Sequence, residues 1–129
     1  HFHAAERLKP MYDRQQVKFD RLQKVFAYVD DNYADPIALP QMATLAGLST
    51  QRFYMLFKKA AGITLVEYVT QVRLTHAAQL LQGSARSIAE IASAVGFSDQ
   101  SYFDRRFRRH FGRTPSQFRK GSLANAPVR

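Results

Sequence analysis

The chain has 129 residues, 46% of them apolar, and its 19 Lys and Arg outnumber its 10 Asp and Glu to give a formal net charge of +9. This length suits one domain or two very small ones on a shared scaffold, and the absence of cysteine excludes a disulfide framework or a thiolate metal site. Because no apolar run approaches the roughly 18 residues of a membrane span and no signal-peptide pattern is present, we expect a cytoplasmic protein without a membrane partner.

The start of the chain predicts one helix after an irregular segment. Residues 1–18 show no sustained periodicity, and we interpret them as a linker or a remnant. Because the sequence begins at His1 rather than at methionine, we expect a fragment of a longer protein. Apolar residues at helical spacing then predict a helix at about 20–33, which Asp35-Pro36 ends, since the residue before proline is pushed out of the helical conformation.

The next three helices are predicted from capping and glycine signals. One covers about 39–46 and the next covers 50–61, with Gly47 in the turn between them. Thr64-Leu-Val-Glu67 is a capping box, in which the threonine oxygen accepts from a backbone N–H and the glutamate reaches back. It opens a long helix that extends to about Gln82.

Similar signals return in the last third. Ser87-Ile-Ala-Glu90 is a second capping box, and a glycine turn at Gly96 divides the stretch 88–111 into two helical segments. Thr114-Pro-Ser-Gln117 caps a short last helix, with proline at its first position. Residues 121–129 are interpreted as a frayed tail.

The stretch 88–111 has the layout of a helix-turn-helix, a motif whose second helix enters the DNA major groove. Spacings of three and four place Phe103, Phe107, His110 and Phe111 on one inward face of the second helix. Residues 84–129 hold nine basic side chains against three acidic ones, so the basic excess is concentrated with this motif. The outward residues suit an anion and the edges of bases: Gln100, Ser101, Tyr102, Asp104, Arg105, Arg106, Arg108 and Arg109.

The chain also matches itself after a shift of about fifty residues. Residues 42–68 contain Met42-Ala43, Gly47, Ser49, Phe53, Phe57, Gly62, Thr64 and Tyr68, which correspond to Ile91-Ala92, Gly96, Ser98, Phe103, Phe107, Gly112, Thr114 and Phe118. Such self-similarity indicates a duplicated structural unit. The register slips by one residue between the turn serine and the first phenylalanine, so we expect the second copy to have an extra residue at its helix start.

We therefore predict an all-α fold of about seven helices, with two helix-turn-helix subdomains joined by a long linker helix. A helix of about 18 residues spans roughly 27 Å, and successive major-groove segments on one side of B-DNA recur about every 34–36 Å. With the width of the flanking units added, the linker could place both reading helices in adjacent grooves of a site without two-fold symmetry. The predicted divisions are 1–18, 19–63 (first subdomain), 64–82 (linker helix), 83–120 (second subdomain) and 121–129.

These segments resemble a known family. The run IAEIASAVGFSDQSYFDRRFRRHFGRTPSQFR is similar to the signature of AraC/XylS-type transcription regulators, YVTQVRLTHAAQLL resembles their linker helix, and FYMLFKKAAGITLVEYV resembles their first unit. The resemblance covers about residues 20–120. It implies a seven-helix DNA-binding domain, normally attached to a ligand-sensing or dimerising region that these residues lack, unless 1–18 are its remnant.

In that family the reading face lies near the start of each recognition helix. In the first unit the resemblance places it on Gln51, Tyr54 and Met55, with Arg52 nearby, and in the second unit on Gln100, Ser101, Asp104 and Arg105. Glutamine pairs with adenine edges and arginine with guanine O6 and N7.

Three of these residues keep alternatives. Arg105 is the best single base reader, although it could instead contact a phosphate or pair with Asp104 or Glu90. Met55 could touch a thymine methyl or extend the core. Asp104 could accept from a cytosine amino group, but we favour a role in holding Arg105 or Arg108 in position.

Four cations, Lys58, Lys59, Arg108 and Arg109, lie at the far ends of the recognition helices and are predicted to contact phosphates, with a solvated face as the alternative. Arg73, on an otherwise apolar part of the linker helix, is expected to anchor an internal ion pair. The helix starts near Ala38 and Ser87 could also hold phosphates through backbone N–H groups.

No catalytic, metal or cofactor site is predicted. His1 and His3 lie in the segment interpreted as a remnant and His76 and His110 stand alone, and no activated serine, acid pair or phosphate-cradling glycine loop is present. Two functions compete: a sequence-specific domain that binds double-stranded DNA, and a basic module that docks on a protein such as RNA polymerase or coats DNA without sequence choice. The paired reading faces favour the first.

The six phenylalanines at inward helical spacing are predicted to be core residues: Phe53, Phe57, Phe103, Phe107, Phe111 and Phe118.

Overall fold

A computed structural model describes residues 18–125, with side chains described for 18–121. Within these residues the chain forms seven helices and no strand, which confirms the predicted all-α class. None of these helices is long and apolar enough to cross a bilayer. The helices are α1 (18–32 in its described part), α2 (Leu39–Leu45), α3 (Thr50–Ala61), α4 (Leu65–Gly83), α5 (Ile88–Ala94), α6 (Gln100–Phe111) and α7 (Pro115–Asn125).

The contacts divide the chain into two compact units. Among the described residues, the first unit contains residues 18–31 together with Ile37–Leu65, and the second contains Asn32–Pro36 together with residues 66–125. The first unit therefore includes α1, α2 and α3, whereas α4 from Val66 belongs to the second unit with α5, α6 and α7.

The core of the first unit joins α1, α2 and α3. Val25, Val29, Met42, Phe53 and Phe57 are fully buried, and each such side chain contributes about 1.5–3 kcal/mol through the apolar surface that it removes from water. The rings of Phe53 and Phe57 lie 5.8 Å apart on the inward face of α3. This packing fixes which face of α3 points to solvent.

The core of the second unit is an aromatic cluster on α6 supported by α4, α5 and α7. Phe103 and Phe107 are fully buried, and Phe118 of α7 meets Phe107 edge to face at 5.4 Å. Phe111 is half-buried against the same cluster, which confirms the predicted core phenylalanines. His110, predicted to point inward, is exposed, because the buried stripe of α6 passes through Phe103 and Phe107 to Phe111.

Both helix-turn-helix turns share one backbone pattern. Leu48 N donates to Ala43 O at 2.9 Å, and Phe97 N donates to Ala92 O at the same distance. The preceding glycine has positive φ in each turn, 72° at Gly47 and 106° at the equivalent Gly96. The repeat seen in the sequence is therefore also a repeat of backbone geometry.

The extra residue of the second copy lies in the turn and not at the start of the helix, so that expectation is corrected. The recognition helices α3 and α6 each have 12 residues. The longer turn changes the N-cap, since Ser49 caps α3 but Asp99 caps α6. The Asp99 carboxylate accepts from the backbone N–H groups of Ser101 and Tyr102 at 2.8 and 3.3 Å.

Two predicted helix starts are confirmed. Ser87 and Glu90 exchange hydrogen bonds of 3.1 Å, and Thr114 and Gln117 do the same at 3.0 and 3.2 Å. The hydrogen bonds with Ser87, first from its backbone, hold the pKa of the Glu90 carboxyl below its usual value. The last helix continues to Asn125, so residues 121–125 are helical and not part of a tail, because a glycine weakens a helix by only about 1 kcal/mol relative to alanine.

Arg73 anchors α4 to the segment before α2 through backbone carbonyls. Its guanidinium donates to Tyr33 O at 2.6 Å and to Asp35 O at 2.9 Å, and burial lowers its pKa. The expected internal anchor is confirmed in place, but its partners are carbonyl dipoles and not the predicted carboxylate. Beside it the rings of Tyr33 and His76 stack at 3.9 Å.

Candidate nucleic-acid interface

The first candidate surface lies at the start of α3. We name it the first reading face, and it consists of Gln51, Arg52, Tyr54 and Met55, all exposed. Met55 is 63% exposed, which removes the alternative that it extends the core and leaves its thioether free to touch an apolar base group such as a thymine methyl.

The cap of α3 helps to define this face. Ser49 Oγ accepts from Arg52 N at 3.3 Å, which satisfies one of the free N–H groups of the first turn. Lys58 and Lys59 are exposed in the last turn, where cations also favour the negative end of the helix dipole. The position of the two lysines is thus compatible both with contact to DNA phosphates and with the alternative of a solvated face.

The second candidate surface lies at the start of α6. We name it the second reading face, and it consists of Gln100, Ser101 and Arg105, all exposed, with the exposed Tyr102 beside them. The Arg105 guanidinium carbon lies 5.8 Å from the centroid of the Tyr102 ring. Among the described residues no carboxylate pairs with Arg105, so its guanidinium is available to a ligand.

Asp104 stands apart from this face. The residue is half-buried, and its Oδ1 atom is buried without a hydrogen-bond partner among the described residues. Removal from water raises the pKa of its carboxyl. The prediction that Asp104 holds Arg105 or Arg108 is therefore wrong, because neither arginine donates to it in the described part of the chain.

Arg106 was predicted to belong to the outward face, and this is corrected. Its side chain is only 15% exposed, and its Nη2 atom donates to Glu67 Oε1 of α4. Its Nη1 atom donates to the Tyr102 hydroxyl at 3.0 Å. The hydrogen bond to Glu67, with smaller contributions from Tyr102, raises the pKa of Arg106 against the effect of burial. This arginine is thus committed inside the second unit.

Sequence reasoning did not assign Arg106 or Tyr102 these roles. One signal was present, since Tyr102 precedes Arg105 by three residues and Arg106 by four, the spacings at which helix side chains meet. The other half of the contact, Glu67, lies 39 residues away and has no local signature. Arg108 and Arg109 are exposed, as a phosphate contact requires.

Comparison with known proteins finds a helix-turn-helix domain in this chain. A family model described as a helix-turn-helix domain matches residues 42–121, which include α3 through most of α7. The Msm operon regulatory protein of Streptococcus mutans is 34% identical over 99 residues, a stretch covering 77% of this chain and 36% of that protein. The Transposon Tn10 TetD protein of Escherichia coli is 34% identical over 119 residues, covering 92% of this chain and 86% of that protein.

Solved structures agree with the fold. A transcriptional regulator from Chromobacterium violaceum, described as containing an AraC-type DNA-binding domain, superimposes with a TM-score of 0.76 and 30% identity, covering 82% of this chain and 95% of that one. The DNA-binding domain of AdpA, solved with a target DNA, gives a TM-score of 0.75 at 23% identity, covering 83% and 96%, and shows the same fold. This chain belongs to the AraC family of transcription regulators and comprises their helix-turn-helix DNA-binding domain.

Proposed function

We propose that this domain reads two successive major-groove segments of one asymmetric DNA site, one through each reading face. The observation that carries the proposal is the combination of duplicated turn geometry with unlike exposed side chains. At equivalent positions of α3 and α6 the first unit has Gln51 and Met55, whereas the second has Ser101 and Arg105. Two identical faces would suit a site with a repeated sequence, but two unlike faces suit two different sequences and hence a site without two-fold symmetry.

The chemistry of the two faces supports different base preferences. Arg105 can donate two hydrogen bonds to guanine O6 and N7, and Gln51 or Gln100 can pair with an adenine edge. Met55 supplies an apolar contact that suits a thymine methyl. We therefore expect the first reading face to prefer a base pair that presents a thymine methyl group, and the second reading face to prefer a guanine.

The exposed cations at the ends of both helices support backbone binding. Lys58 and Lys59 follow the first reading face, and Arg108 and Arg109 follow the second. Phosphate contacts of this kind fix the register of a reading helix without carrying sequence information. They also make the affinity fall as salt rises, by a slope of about −0.9 per neutralised phosphate.

The length of α4 supports a two-groove site. Its 19 residues form one continuous helix, about 28 Å long at about 1.5 Å per residue. That length is of the order of the groove repeat of about 34–36 Å. A binder that needed only one groove would not require a second turn-helix unit beyond such a helix.

The proposal also extends to the full-length protein, its cellular location and its partners. The chain spans 36% of the length of the Msm regulator, which is compatible with a sensing or dimerising region elsewhere in the full protein. A regulator of bacterial type acts on the chromosome in the cytoplasm. RNA polymerase is the alternative partner, and binding to a protein without measurable binding to DNA would favour it, whereas DNA binding without sequence preference would favour a module that only coats DNA.

Selection of bound duplexes from a random pool tests the proposal. We expect a bipartite consensus without two-fold symmetry, with its two conserved segments separated by about one helical turn of 10–10.5 base pairs. Gln51→Ala combined with Met55→Ala should relax one segment only, and Arg105→Ala should relax the other. A palindromic consensus, a single short segment or no consensus at all would contradict the two-face model.

A further inference from the structure

The Tyr102 ring lies close to two arginines of the second unit. Its ring centroid lies 5.8 Å from the Arg105 guanidinium carbon and 5.9 Å from that of Arg106. A cation placed near an aromatic ring at this range is attracted to the electron-rich face, by about 0.5–1 kcal/mol at an exposed site. Tyr102 is 38% exposed, so this contact with Arg105 lies at the protein surface.

The ring itself is held through its hydroxyl group. Arg106 Nη1 donates to the Tyr102 hydroxyl at 3.0 Å, and the same guanidinium donates through Nη2 to Glu67. The ring also lies near that of Phe97, tilted by 53° with centroids 6.1 Å apart. Tyr102 is thus fixed by a hydrogen-bonded link to α4 and by the aromatic core, and it has less rotamer freedom than an ordinary surface tyrosine.

We propose that Tyr102 is a positioning residue for Arg105, and that Glu67 and Arg106 act through it. The link from Glu67 through Arg106 fixes the ring, and the ring holds the guanidinium of Arg105 in the orientation that reads a base. Pre-ordering of this kind lowers the entropy lost on binding and sharpens the geometry needed for a bidentate contact. This inference rests on the proposed reading role of Arg105.

The first unit lacks this arrangement. The positions of α3 equivalent to Tyr102, Arg105 and Arg106 hold Arg52, Met55 and Leu56. An apolar side chain such as Met55 gains little from a fixed orientation, since its contact with a base is non-directional. The positioning contacts therefore occur in the unit whose base contact is directional.

The test compares Tyr102→Leu, Tyr102→Phe and Arg105→Ala in the whole chain. The binding ratio is measured between the selected duplex and the same duplex altered at the base pair that depends on Arg105. Tyr102→Leu should lower this ratio about two- to fivefold, the factor that corresponds to the loss of one exposed cation–ring contact. Tyr102→Phe keeps the ring and should lower it less, and neither variant should change the salt slope.

A double-mutant cycle decides between positioning and direct contact. In the Arg105→Ala background, Tyr102→Leu should have no further effect on the ratio, because its action passes through Arg105. An equal loss in both backgrounds would show that Tyr102 contacts DNA itself and would overturn the inference. An unchanged ratio for Tyr102→Leu alone would overturn it as well. Thermal unfolding of each variant separates these outcomes from a loss of fold.

A measurement without DNA separates this inference from the proposed function. Nitrogen relaxation of Arg105 Nε in the free protein should show an ordered side chain that becomes more mobile in Tyr102→Leu. If Arg105→Ala leaves sequence selectivity intact, the reading role fails whatever the relaxation data show. If Arg105 is as mobile in the wild-type chain as in Tyr102→Leu, the positioning role fails while the reading role stands.

Discussion

Gly96→Ala is expected to destabilise the protein by about 3 kcal/mol or more. Gly96 has a φ of 106°, a conformation that costs a residue with a Cβ about 1–2 kcal/mol. A Cβ at this position would lie 2.8 Å from Ala34 O and 2.9 Å from Arg73 Nε. The carbonyl is backbone and cannot swing aside, and Arg73 Nε is already bonded to Tyr33 O. The substitution therefore adds overpacking, and the loss of a charge-assisted hydrogen bond, to the conformational cost.

Gly47→Ala is the matched control. Gly47 occupies the equivalent turn of the first unit with a φ of 72°, and a Cβ there would meet no atom within 4 Å. Only the conformational cost of about 1–2 kcal/mol applies. Urea unfolding followed by circular dichroism should rank Gly96→Ala well below Gly47→Ala in stability. Equal losses would mean that the approach of Gly96 to Ala34 and Arg73 does not limit this turn.

Arg105→Ala is expected to remove about 1–3 kcal/mol of discrimination at one base pair of the selected site. The affinity for duplexes already altered at that pair should change little. The reason is that a bidentate arginine contact distinguishes guanine from the other bases, whereas a phosphate contact does not. Competition binding with the four possible pairs at that position gives the discrimination directly.

Arg108→Ala is the control for a phosphate role on the same helix. It should weaken binding to all duplexes alike and reduce the salt slope by about 0.9. If Arg105→Ala behaved in the same way, Arg105 would be a backbone contact and base reading by α6 would have to come from Gln100 or Ser101.

Local signals explain why the fold could be predicted closely. Capping boxes and turn glycines are encoded within a few residues, so the predicted helix at 50–61 agrees with Thr50–Ala61, and the one predicted to reach Gln82 ends at Gly83. The two turns could be predicted because glycine tolerates a positive φ, a conformation that few other residues adopt. The reading helices could be assigned an outward face because Phe53 and Phe103 mark the inward one.

Contacts between distant segments explain what could not be predicted. Arg105 and Arg106 are adjacent arginines that the sequence does not distinguish. Only the position of Glu67 in three dimensions makes Arg106 part of an internal ion pair. Asp104 likewise looks like an outward polar residue by spacing, but its carboxylate is partly withdrawn from water. Arg73 bonds to carbonyls, which carry no side-chain signature in a sequence.

The most direct test is a hydroxyl-radical footprint of the whole chain on the duplex recovered by selection, combined with methylation interference. Two protected segments should lie on one side of the DNA, about 10–10.5 base pairs apart. Guanine methylation should block binding at the segment that depends on Arg105. One protected segment of a single turn, or two segments on opposite sides of the duplex, would contradict simultaneous reading by α3 and α6.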